Sequence, residues 1–192
     1  MLRYIRSKLA IRARRLLPGP ATRRFVLRQD GAAAVEFALV AAPFLALIFA
    51  IVETALVFFA GQTLEAAATD SARLIMTGQA QNAGYSQDQF KTQVVCNYLK
   101  TGISLFNCES GVTVDVKSYT SFAAINTAPP IVDGKLDTTN ITYTPGNAGD
   151  IVVVRLYYQW PVYVTMLGND LSNLSGGKRL LVATSVFRNE PF

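Results

Sequence analysis

Apolar residues run almost unbroken from Phe37 to Ala60, 24 residues in which Glu53 is the one ionisable side chain and Pro43 the one helix breaker. A helix needs about 20 such residues to cross a hydrocarbon core, so the run predicts one transmembrane helix. Beyond it the pattern becomes amphipathic. Leu64, Ala67, Ala68, Ser71, Leu74 and Ile75 recur at helical spacing, while Glu65, Asp70 and Arg73 stand away from that face. Gly78 is the expected stop. A helix from Ala32 to Thr77 has 46 residues, about 70 Å at the usual rise. Its first half suits a membrane and its second half suits a small folded head.

Downstream the period shortens. Phe90, Val94, Val95 and Leu99 mark a short helix over 87–100. Alternation then predicts three strands: Val112 to Lys117, Ile151 to Trp160, and Leu180 to Phe187 after the Gly176-Gly177 turn. Pro161 argues against an interior sheet position at that point. Residues 118–143, with Pro129-Pro130 and Asp133-Gly134, read as turns and loop. The expected fold class is α+β, a long N-terminal transmembrane helix extending into a head with an antiparallel sheet that the helix covers.

Charge adds direction. Residues 1–30 hold nine Arg or Lys against Asp30 alone, whereas the chain from Gly31 onward has nine basic and twelve acidic residues. Positive charge beside a spanning helix stays in the cytoplasm, which sets the N-terminus in and the head out. Three segments follow: a basic cytoplasmic leader over 1–31, the long helix over 32–78 with its span at 37–60, and an extracytoplasmic head over 79–192. Within the leader, apolar residues at Leu2, Ile5, Leu9, Ala13 and Leu16 suggest an amphipathic helix on the membrane surface. The basic flank needs no nucleic acid to explain it; the bilayer is the expected partner.

Candidate chemistry is sparse. With no histidine in the chain there is no Ser/His/Asp or Cys/His site, and the head acids occur singly. No enzyme, cofactor or metal is expected. Cys96 and Cys108 both fall in the translocated segment, where a disulfide fits an oxidising compartment; free or metal-binding thiols are the alternative. Two carboxylates need partners. Glu36 stands at the mouth of the apolar run and Glu53 near its far end, and acids in hydrocarbon are costly unless paired. Pro43 removes a helix donor, and the alanines at 32, 33, 34, 38, 41, 42 and 46 offer a surface another helix can approach closely.

Gly31 followed by Glu36, at the step from basic to apolar sequence, resembles the processing site of type IV prepilins. The wider block sharpens this: Gly31, Val35-Glu36-Phe37-Ala38, Pro43, Glu53, Gln62-Thr63-Leu64, Ala67-Ala68, Ala72-Arg73 and Gly78 resemble the N-terminal region of the TadE-like (TadE or TadF) proteins of the tight-adherence, or Flp, pilus system. The tail Val186-Phe187-Arg188-Asn189-Glu190 resembles theirs more weakly. The resemblance implies a pilin-like layout and a minor pilin-like protein of the bacterial inner membrane that assembles or initiates the Tad/Flp pilus and supports adhesion. Its implied partners are a prepilin peptidase, cutting between Gly31 and Ala32, and other pilus proteins and pilins. It also implies helix assembly through Glu36, Pro43 and Glu53. Two other readings stand beside it: an unprocessed bitopic scaffold of the pilus machinery, and an exported soluble binding domain whose Arg23-Arg24 lies in a twin-arginine-like signal.

Overall fold

A computed structural model describes residues 31–101, 105–126, 128–163 and 170–192. The basic leader and its expected amphipathic helix lie outside the described residues. The chain divides into two units, Met1–Leu45 and Ala46–Phe192. Helix α1 (Ala32–Met76) supplies all but one of the described residues of the first unit, and its side chains there are almost all exposed. It continues through Pro43 without interruption.

In the second unit α1 changes character at Glu53. From there Val57, Ala60, Leu64, Ala67, Ala68, Ser71, Ala72 and Ile75 are buried, the i, i+3, i+4 rhythm of one helical face. That face packs on a three-stranded antiparallel sheet in the order β1 (Val112–Tyr119), β4 (Ile151–Pro161), β5 (Lys178–Arg188). Register is set by pairs such as Val112↔Tyr158 and Val154↔Ser185. Val114, Val116, Val152, Val154, Leu156 and Ala183 form the sheet side of this core. On the helix side the buried positions are mostly small, with Ala60, Ala67, Ala68 and Ala72 around Leu64 and Ile75. Pro161 sits in the central strand after all, at its last pair, opposite Lys178; a missing donor costs the ladder little at a strand end.

After α1 come α2 (Gln79–Asn82) and a continuous helical stretch over 87–100: α3 (Gln87–Phe90), a π-helical turn (Lys91–Val95) and α4 (Cys96–Lys100). Ser86 starts it with a reciprocal cap: its hydroxyl accepts the Gln89 N–H at 3.3 Å, and the Gln89 side chain accepts the Ser86 N–H at 2.9 Å. The wider turn rotates the face so that Val94, Val95 and Cys96, consecutive in sequence, are all buried. Helix α5 (Cys108–Gly111) leads into β1.

The second face of the sheet differs from the half-exposed surface that alternation implies. Residues 128–141 fold over it, carrying the small hairpin β2 (Ile131–Val132) and β3 (Lys135–Leu136). Ile131, Leu136 and Ile141 cover Tyr157, Leu174 and Leu180 in a second, smaller core. Polar groups stitch this cover down. Asp115 accepts the Thr142 N–H at 3.0 Å and pairs with Lys117 at 3.2 Å, while the Arg155 guanidinium donates to the Asn126 carbonyl. Residues 142–144 then run beside β1, with Val116 N–H bonded to the Thr142 carbonyl and Thr144 N–H to the Val116 carbonyl, both at 2.8 Å.

Tyr143, packed on Phe90 at 5.4 Å between ring centroids, has a buried hydroxyl with no hydrogen-bond partner among the described residues. Burial, helped by the neighbouring Tyr85, pushes its phenol up to about 12, whereas an unfolded tyrosine ionises near 10. The folded state therefore keeps a proton that the unfolded chain loses. This contribution is intact below pH 10 and declines as pH rises from 10 toward 12. Burial also raises Tyr157, so two residues share the alkaline loss. Tyr143→Phe is expected to leave stability at neutral pH unchanged or improved, because it removes an unpaired hydroxyl, and to shallow the fall above pH 10. Denaturant midpoints across that range check both; an unchanged slope would remove Tyr143 from the account.

The end of α1 is closed by the tail of the chain. Glu190 N–H reaches the Met76 carbonyl at 2.9 Å, and Asn189 is buried against the loop, donating to the Pro145 and Asn147 carbonyls. Gly78 turns the chain at φ 73°, and a Cβ there would overlap the Phe192 ring carbons. Gly78→Ala should cost about 1–2 kcal/mol from the left-handed backbone alone, with the ring clash added. Trimming the ring with Phe192→Ala should recover the clash and leave the backbone part. Full recovery would place the whole effect on the ring.

Candidate functional site

Three groups of residues carry the chemistry that the sequence offers. The first is the start of α1. Gly31 is exposed with open space around its Cα, Ala32 is the first helical residue, and Glu36 is exposed one turn later. Positions i and i+4 share a helix face, so the Glu36 carboxylate and the Ala32 backbone nitrogen belong to the same side of α1. Pro43 is also exposed. These residues present themselves outward, and no other described element covers them.

The second is Glu53. Instead of standing in solvent it is 7% exposed, and its carboxylate accepts the backbone N–H of Tyr163, just past the end of β4. A short apolar helix segment thus holds one end of the head. Sequence spacing places Glu53 near the interface but contains no signal for a partner 110 residues away.

The third is the disulfide between Cys96 and Cys108, whose Cα atoms are 5.5 Å apart. It joins α4 to α5 and so fixes the helical layer to the start of β1. Phe106, two residues before Cys108, packs edge-to-face on Tyr158 at 4.9 Å between ring centroids and on Trp160 at 6.3 Å. The alternatives of free or metal-binding thiols fall away. Among the described residues no cluster of three or more His, Cys, Asp or Glu could hold a metal.

The start of α1, the buried Glu53 and the small-residue face beyond it form one continuous stretch, and that stretch is the part of the chain that compares with known proteins. Residues 31–73 match the TadE-like protein family. No curated protein and no solved structure matches the chain. The matched segment includes Gly31, Ala32, Glu36, Pro43 and Glu53 and ends two residues before the last buried position of α1, Ile75. It links the chain to the Tad pilus system. The sheet and the disulfide lie beyond the match.

The helix also meets the requirement for a single-pass anchor. Its most apolar 18-residue window has a mean hydropathy of 2.5, and none of that window is buried in the protein. Val35, Phe37, Leu39, Val40, Phe44 and Phe49 are among the large apolar side chains left exposed. Such a surface is stable only against lipid or other apolar helices.

Proposed function

We propose that this chain is a single-pass inner-membrane protein of the Tad/Flp pilus system that acts as a minor pilin-like subunit in assembly or initiation, and so supports surface adhesion. The observation that carries the reading is a coincidence of three boundaries: the TadE-like match begins at Gly31, α1 begins at Ala32, and the basic leader ends at the same place. A membrane peptidase that cuts after Gly31 removes the leader and gives Ala32 a free amine. That amine is a cation next to hydrocarbon, and Glu36 of a neighbouring subunit neutralises it. The exposed alanines of the first turns let two such helices pack closely, and Pro43 leaves a carbonyl that the neighbour can satisfy. Glu53 then sets the head on its own helix, and the head, cross-linked by Cys96–Cys108, presents a contact surface to other pilus proteins. The reading assigns the chain no catalysis.

The test is the N-terminal sequence and intact mass of the protein taken from its own cell membranes. A chain beginning at Ala32 is the expected result. A chain that keeps its leader while resisting carbonate extraction would replace the pilin-like subunit by an unprocessed scaffold. A soluble chain starting near Thr69 would replace both by an exported domain.

A further inference from the structure

The head is tied to α1 at both ends, by Tyr163 to Glu53 and by Glu190 to Met76. Its β4–β5 end therefore lies alongside helix residues that are still part of the apolar run. From Glu53 to Ala60 the helix buries Val57 and Ala60 under the head while Leu56, Phe58 and Phe59 stay exposed. Residues 32–52 already number 21, enough for the hydrocarbon core at about 20 residues. A head packed on residues 53–60 moves the span from the expected 37–60 to about 32–52, so the stretch that the head overlaps falls in the headgroup layer, where Trp and Tyr concentrate and where Lys and Arg meet phosphate.

The surface of the head at that level has this chemistry. Tyr163 is 81% exposed although its backbone is held by Glu53. Lys178 is exposed across the final β4–β5 pair, opposite Pro161, and Arg179 lies next to it, donating to the Leu171 carbonyl. Arg179 also lines a groove of about 370 Å³ between the strand and α1, with Val57, Phe58, Leu171 and Val182 as its apolar walls. The nearby acid, Asp170, accepts the Ser172 N–H at 2.9 Å. An amphipathic tyrosine, two cations and an apolar slot open beside the helix exit are what a phospholipid headgroup and the top of its acyl chain require.

We propose that the β4–β5 end of the head docks on the bilayer, with Tyr163 in the headgroup layer, Lys178 and Arg179 on phospholipid phosphates, and the groove beside Phe58 taking lipid. This rests on α1 being the membrane span. Contact of the head with lipid fixes its tilt on the membrane, leaving its opposite end, around Ala148, for other proteins. The fold supplies the orientation because Glu53 holds the Tyr163 backbone at one defined depth.

The chain has a single tryptophan, Trp160, so replacing it by Phe gives a silent background for a placed reporter. The full chain is reconstituted into phosphatidylcholine and phosphatidylglycerol vesicles that contain lipids brominated near the headgroup or near the chain end. In the Trp160→Phe background, Leu47→Trp reports the span, Tyr163→Trp the docked end and Ala148→Trp the far end. Headgroup-proximal bromine is expected to quench Tyr163→Trp strongly and chain-end bromine weakly, with Ala148→Trp unquenched by either. Adding Lys178→Glu should reduce quenching of Tyr163→Trp toward the Ala148→Trp level, and Lys178→Arg should retain it. Tyr163→Trp left unquenched while Leu47→Trp is quenched overturns the docking but keeps the anchor, and would point to a protein covering this end. Leu47→Trp left unquenched overturns the anchor and the docking together.

Discussion

Leu64→Ala lowers the stability of the head by about 2–5 kcal/mol, the range for truncating a fully buried leucine. Leu64 is the largest side chain in the middle of the buried face of α1, completely shielded from solvent among Ala60, Ala67 and Ala68 and the valines of the sheet. The alanines around it have no side chain to spare, and the sheet is held in register on both sides of β4, so little can move into the void. The cost should fall in the upper part of the range. Denaturant unfolding of the full chain in detergent, followed by Trp160 emission, measures it. Leu47→Ala is the internal comparison: the same deletion on the same helix, at a residue exposed in the protein, should leave the head transition where it was. Equal losses at both positions would mean that the head does not use α1 as its core.

Replacing Cys96 and Cys108 together by alanine should cost about 3 kcal/mol on the loop-entropy estimate, at a sequence separation of 12. Both cysteines are buried, so cavity terms add to that figure rather than offset it. The loss is structural as well as entropic. The bond is the covalent link between the helical layer and the lead into β1, and Phe106, two residues before Cys108, packs on the Tyr158 and Trp160 rings. A shifted Trp160 emission in the folded double variant would report that loosening directly. Under non-reducing conditions, full reaction of the native protein with a thiol label before any reductant would contradict the bond.

The elements were largely legible from local pattern. The long apolar run ends in an amphipathic stretch, and the helix that forms ends at Met76, one residue short of the expected Thr77. The alternation over Val112–Lys117, Ile151–Trp160 and Leu180–Phe187 appears as strands longer by two, one and three residues, because pairing carries the ladder past the last alternating apolar position. The helical stretch over 87–100 was visible in spacing, but its π-helical turn was not, since one extra residue per turn leaves no mark that distinguishes it from a shifted register.

What failed to show were contacts between distant segments. Arg155 and Tyr157 alternate with Val154, Leu156 and Tyr158 and so read as a solvent face, yet both are buried because Asn126 and residues 128–141 fold over them. That segment is short of periodic signal and rich in turn residues. Its cover depends on Asp115 and Arg155 satisfying its backbone, a match no local window contains. The tail Val186 to Glu190 stood out by resemblance, and the structure gives one physical reason for it: Asn189 and Glu190 secure the loop and the end of α1.

Membrane-spanning length, charge asymmetry, the set of elements and the pair of cysteines follow from the sequence itself, because each depends on neighbours within a few turns of chain or on simple counts. The attachment of Tyr163 to Glu53, the second core behind the sheet and the depth at which the head meets the helix were decided only in the tertiary structure. These rest on packed surfaces and on single hydrogen bonds between residues 27 and 110 positions apart. Such pairings form where two elements happen to complete one another's unsatisfied groups, and the period of neither element specifies the other.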